Sequence, residues 1–231
     1  MTVSASPVPE PQVGPTLEDI QANEELALFI ASADNVMEGL GYTEHGSRHA
    51  LLSARIAYNV LSRTGHEEHE ANLGAIAGYL HDVGNMATRE MHPQVGAMLV
   101  YNALRGEMAG PDLATVMAAV ANHEEPGGYA ISPVAAAVIL ADKSDVHRSR
   151  VRKSPASAFD IHDRVNYAAE QSFLRVDSIA KTITLELTID PQISQVMEYF
   201  EIFLGRMQLC RKAADALGCR FKLVINDAEL A

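Results

Sequence analysis

Apolar residues recur at helical spacing through most of the first 146 positions. Leu26, Phe29, Ile30, Ala33 and Met37 mark one face of a helix that Thr16 and Asp19 can cap and that stops near Gly39-Leu40-Gly41. Further helical segments fit about 47–64, 69–82, 93–107, 111–122 and 131–146. Pro93 and Pro111 suit first turns, where the missing N–H costs nothing, and Gly65, Gly84 and Gly110 mark breaks. After about residue 155 the period changes. Residues 172–178 and 182–189 alternate apolar with polar side chains, as half-buried strands do. A long amphipathic helix then spans about 192–217, opened by Pro191 and ended by Gly218, and residues 221–225 form a third strand. The pattern predicts a mainly α protein: a helical unit over 16–155, followed by a small α/β region, β-β-α-β, over 156–231. Residues 1–15, with Pro7, Pro9, Pro11 and Pro15, are expected to be a disordered tail. No internal repeat is visible.

Composition narrows the function. The chain of 231 residues has a formal net charge of -12, which argues against a general nucleic-acid binder but not against a small phosphorylated substrate. Cys210 and Cys219 are the only cysteines, too few for a disulfide framework. No apolar run is long enough for a membrane helix, and no basic-then-apolar leader opens the sequence, so a cytoplasmic location is expected.

The chemistry gathers at His81-Asp82, where an apolar helical run gives way to loop. A neutral nitrogen and an anionic oxygen side by side suit Fe, Mn, Zn or Ni better than Ca or Mg. His49 upstream, and His92, His123 and Asp142 downstream, each adjoin an apolar helical segment. Asp142 lies in an otherwise apolar stretch, where a carboxylate needs a charge partner such as a metal. Blander roles exist for some of these residues: His92 can cap a helix before Pro93, and His123 can be a solvated loop residue. His45 competes with His49 if its turn is helical, although its place before Gly46 suggests a solvated or supporting role. His66 and His69 lie in a Glu-rich turn and read as surface, as does His162.

This ordered series, His … His-Asp … His … His … Asp, resembles the HD-domain superfamily of metal-dependent phosphohydrolases. The local contexts are similar as well: His49-Ala-Leu-Leu-Ser-Ala-Arg-Ile-Ala, Ala77-Gly-Tyr-Leu-His-Asp-Val-Gly84, His92-Pro-Gln-Val-Gly96, Asn122-His123-Glu124 and Ile139-Leu-Ala-Asp142-Lys. The resemblance covers roughly residues 40–150. It implies an HD-like helical unit with His49, His81, Asp82, His92, His123 and Asp142 as ligands. These would hold two divalent transition metals, Fe or Mn first and Zn, Ni or Co as alternatives, with Asp82 bridging them.

The implied activity is hydrolysis of a phosphate ester or anhydride of a nucleotide-like small molecule by a metal-activated hydroxide. Catalytic roles fall to Asp82, and to Lys143 and Arg148 as contacts for phosphate oxygens. Arg148 belongs to the one basic cluster, His147-Arg-Ser-Arg-Val-Arg-Lys153, which a solvated face would equally explain. Two departures stand out: Asn85 replaces the lysine many relatives carry, and Asn122 stands where some binuclear relatives have a second histidine. A di-iron oxygenase of the same fold, or a non-catalytic regulatory binder, are the alternatives. The C-terminal region carries none of the expected ligands, and a homodimer built through it is expected.

Overall fold

A computed structural model describes residues 14–153 and 159–230. Apart from Gly14 and Pro15, the expected tail lies outside the described residues, as does the boundary expected near 155.

Mainly α describes the chain. The first expected helix divides in two, α1 (Leu17–Ala22) and α2 (Glu24–Gly39), because Asn23 leaves helical geometry and its side chain accepts from the amides of Glu25 and Leu26. Thr16 and Asp19 form the capping box of α1. Then come α3 (Ser47–Thr64), ended by Gly65 in the left-handed region, α4 (Glu68–Leu80), a 3-10 turn Val83–Met86, α5 (His92–Leu104), α6 (Gly110–Ala121) and α7 (Pro133–Lys143).

Helix α7 is the axis of the molecule. Every residue from Val134 to Lys143 is buried, and α3, α4, α6 and α9 all pack on it. Its run of small residues, Ala135-Ala136-Ala137 and Ala141, lets these neighbours come close. A helix buried all round cannot present a solvated face, so the two charges at its end, Asp142 and Lys143, must be met inside the protein.

A second 3-10 turn, Arg148–Arg150, follows. Helix α8 (Ile161–Ala168), not foreseen from periodicity, is capped by Asp160. Strands β1 (Ala169–Asp177) and β2 (Thr182–Ile189) form an antiparallel hairpin, and α9 (Val196–Ala216) crosses over to β3 (Arg220–Ile225), parallel to β2. A short β4 (Ala228–Glu229) turns back through Asn226 and Asp227, both with positive φ as a tight hairpin requires. The β-β-α-β order is as expected, with β4 added and α9 starting later than expected. Helix α9 packs against α7 and β3 together, and β1 runs beside α3, so the helical unit covers the C-terminal region within one chain. Among the described residues, no helix is long and apolar enough to cross a membrane.

Candidate metal centre

Five helix ends converge on one point. His49 sits in the first turn of α3, His81 and Asp82 just past α4, His92 at the start of α5, His123 just past α6, and Asp142 in the last turn of α7. The six side chains expected from the sequence as ligands are brought together in two donor sets. In one, His49 Nε2 is 3.1 Å from His81 Nε2, 3.6 Å from Asp82 Oδ2 and 3.4 Å from Asp142 Oδ1. His81 Nε2 lies 3.3 Å from Asp82 Oδ2 and 3.6 Å from Asp142 Oδ1. In the other, His92 Nε2 and His123 Nε2 are 3.1 Å apart and lie 3.5 and 3.7 Å from Asp82 Oδ1. Donors sharing one ion through bonds of about 2.0–2.2 Å stand roughly 3.0–3.6 Å apart, and these stand 3.1–3.7 Å apart. Asp82 gives one oxygen to each set.

The histidines are turned for this. The Nδ1–H groups of His81, His92 and His123 donate to the carbonyls of Gly78, Arg89 and Val120, at 2.8, 2.7 and 2.7 Å, and His49 Nδ1 donates to Asp145 Oδ2 at 2.7 Å. These partners fix the tautomers, so in the neutral rings each Nε2 carries an inward lone pair. Two such nitrogens 3.1 Å apart call for a cation between them, a proton or a metal ion. The donor set therefore fits metal ions.

Electrostatics agrees. Burial opposes charge on His81, but the charges of Asp82 and Asp142 and their hydrogen bonds more than offset it and raise its pKa to about 10, so a cation at this Nε2 is favoured. His92 goes the other way, to about 4, chiefly through burial and then through the charges of His123 and Arg89, and is neutral at pH 7. Against their own burial, Asp82 is kept ionised by His81 and His123, and Asp142 by Lys143 and the His49 hydrogen bond. The four histidines are at most 1 % exposed, whereas Asp82 and Asp142 retain 9 and 8 %, so the centre opens on its carboxylate side.

Several supporting groups were not foreseen. Asp145 anchors His49 and is itself gripped by Arg48, at 2.8 and 3.3 Å, and by Arg150, whose Nη1 donates to its carbonyl at 2.8 Å. Burial works against this carboxylate, yet Arg150, His49 and Arg48 hold its pKa far below the usual range. Asn85 Nδ2 donates to Asp82 Oδ1 at 2.9 Å and to the Asp82 carbonyl at 3.1 Å, fixing this carboxylate. Asn122 instead ends α6, with its side chain donating to the Ala118 carbonyl.

A carboxylate backing a ligand histidine raises its basicity. Asp145→Asn, which keeps the shape but removes the charge, is expected to weaken metal binding by about 10–100-fold. Chelator competition measures this, and unchanged affinity would contradict the role given to Asp145.

The two residues expected as phosphate contacts are both paired with carboxylates. Lys143 is at the centre but 1 % exposed, its Nζ surrounded by Asp142 (2.8 Å), Glu125 (2.9 Å) and Glu124, so its donors are spent on carboxylates. Arg148 pairs with Glu170 at 2.9 Å, lies over the Tyr167 ring and forms no ion pair with Asp82 or Asp142. The basic cluster is a structural strap: Arg150 holds Asp145 and the Glu44 carbonyl, Arg152 pairs with Asp34, and Lys153 with Asp160 and Asp163. The arginines actually brought near are Arg89 and Arg206. Arg89 pairs with Glu124 at 2.7 Å, and Arg206, from α9, donates to Glu125 at 3.1 Å. His66 and His69 pair with Glu70 and Asp112, away from the centre.

Comparison with known proteins agrees with this geometry over part of the chain. Residues 46–146 match the model of the HD domain. This segment is an HD domain. The match begins one residue before α3 and ends just past α7, so it takes in all six converging side chains. Over 207 residues the chain is 26% identical to an uncharacterized protein, MJ1020, of Methanocaldococcus jannaschii, covering 78% of this chain and 79% of that protein. The similarity thus extends beyond the HD segment. HD domains bind divalent metals, and the superfamily generally includes metal-dependent hydrolases.

Proposed function

We propose that the protein is a binuclear metal-dependent phosphohydrolase acting on a phosphate ester or anhydride of a nucleotide-like small molecule. The observation that carries this reading is the placement of Asp82, with Oδ2 in the set of His49, His81 and Asp142 and Oδ1 in the set of His92 and His123. Two divalent ions held there, Fe or Mn first and Zn, Ni or Co as alternatives, would lower the pKa of water and offset charge on phosphoryl oxygens.

The residues supply the rest. The Nδ1 partners keep four Nε2 lone pairs aimed inward, and Asn85 holds the Asp82 carboxylate in its rotamer. Lys143 keeps Asp142 and Glu124 ionised and, with Glu125 also against its Nζ, holds all three carboxylates in place. Neither cysteine supplies a nucleophile to the centre. Both are buried, and burial lifts the Cys210 thiol to about 12, so direct attack by water suits the site. Cytoplasmic location and a homodimer belong to the same proposal; a clean monomer in light scattering at micromolar concentration would refute the dimer.

The test is a phosphate-release screen over nucleotides and simple phosphate esters, using protein purified anaerobically and loaded with Mn or Fe. Release that chelator abolishes and metal restores supports the reading. Metal-loaded protein that releases no phosphate but consumes oxygen with iron bound would overturn it in favour of a di-iron oxygenase.

A further inference from the structure

Most cations around the centre are already committed. Lys143 is enclosed by three carboxylates, Arg206 is held by Glu125, and Arg48 and Arg150 grip Asp145. Arg89 differs. Among the described residues, Glu124 is the one carboxylate that pairs with it, through Nη2. Its Nη1 lies instead against the His92 ring, 3.1 Å from Nδ1 and 3.2 Å from Nε2. Its side chain is 24 % exposed, against 1 % for Lys143, so it reaches solvent at the mouth. The guanidinium also lies over the ring of Tyr42, 5.6 Å from its centroid, and Tyr42 is itself exposed on the loop between α2 and α3.

The place of Nη1 carries the argument. His92 Nε2 belongs to the second donor set, and Nη1, nearly equidistant from the two ring nitrogens, stands over the ring beside that donor. A divalent ion held at Nε2 would put a like charge close to this guanidinium, and Glu124, paired with Nη2, would offset only part of the repulsion. An anion between the ion and Nη1 relieves it. A phosphoryl oxygen suits this place, because Glu124 engages Arg89 through Nη2 and leaves Nη1 to donate a charge-assisted hydrogen bond. Glu124 and Tyr42 hold the fork from two sides before the anion arrives, which lowers the cost of ordering it.

We propose that Arg89 grips a non-bridging phosphoryl oxygen of the substrate on the His92–His123 side of the centre, braced by Glu124 and Tyr42. The inference rests on the phosphohydrolase reading above and assigns to Arg89 the contact expected from the sequence at Lys143 or Arg148.

The probe is inorganic phosphate, titrated calorimetrically into the metal-loaded full chain, with metal content measured in every sample. Wild type is expected to bind phosphate. Arg89→Gln is expected to keep its metals and weaken phosphate binding by about tenfold or more, the usual scale for losing a charge-assisted hydrogen bond, and Arg89→Lys should fall between. In turnover, the loss in Arg89→Gln should show in KM as well as kcat. If Arg89→Gln loses metal, Tyr42→Ala, which touches no proposed ligand, takes its place and should bind phosphate more weakly with metals intact. Wild-type phosphate affinity in a metal-replete Arg89→Gln, or in Tyr42→Ala, would overturn the role of Arg89 and leave the phosphohydrolase reading standing. Metal-loaded wild type that binds no phosphate would overturn both.

Discussion

Asp82→Asn is expected to strip the centre of at least one metal and to lower phosphate release by on the order of 10²–10³-fold, the scale seen when a group stabilising transition-state charge is removed. The reason is geometric. Asp82 Oδ2 faces the Nε2 atoms of His49 and His81, and Oδ1 those of His92 and His123. Whichever way an asparagine amide turns, one donor set then meets an N–H in place of a lone pair, and the charge shared by both sets is gone. Elemental analysis reads the outcome. His66→Ala and His69→Ala, whose rings pair with Glu70 and Asp112 away from the centre, should leave metal content unchanged. A normal metal content in Asp82→Asn would remove Asp82 from its bridging role.

Gly84→Ala is expected to be the most damaging single methyl in the helical unit. A Cβ at this position would stand 2.0 Å from the carbonyl oxygen of His92 and 2.6 Å from the amide of Gly96. Both are backbone atoms of α5 and cannot turn aside. The 3-10 turn after Asp82 must therefore move off α5, drawing Asp82 away from His92. Overpacking of this kind costs about 1–3 kcal/mol, occasionally more, and in a chain of this size each kcal/mol lowers Tm by roughly 2–4 °C. The second donor set should fail first, because His92 rides on α5, whereas His49, His81 and Asp142 stand on α3, α4 and α7. Thermal melts with metal analysis check this; an unchanged Tm with both metals retained would contradict it.

Much of this was legible in the sequence. The spacing of apolar residues placed the helices, and Pro93 and Pro111 marked first turns. His49, His81, Asp82, His92, His123 and Asp142 stood out because each adjoins an apolar helical run, where a polar side chain needs a reason. The structure brings all six together at helix ends.

What stayed hidden were the partners of those residues. Asp145 follows Asp142 by three positions at a helix end, and that spacing was the available signal, but a loop carboxylate reads as solvated until Arg48 and Arg150 are seen to grip it. The basic cluster around Arg148 pointed to phosphate by proximity in sequence, yet its charges are consumed by Asp34, Glu170, Asp160 and Asp163, all distant in the chain or in later elements. Arg89 and Arg206 gave no signal, since each depends on a tertiary contact with Glu124 or Glu125. Helix α8 was missed because its eight residues are too few to establish a period.

The central claim is that this one pocket holds two metals across Asp82, and the stoichiometry of the wild-type protein tests it most directly. Protein purified anaerobically under metal-replete conditions, then desalted and analysed by elemental mass spectrometry, is expected to carry close to two transition-metal ions per chain, falling toward one in His92→Ala. One ion per chain in the wild type, unchanged in His92→Ala, would contradict the binuclear centre.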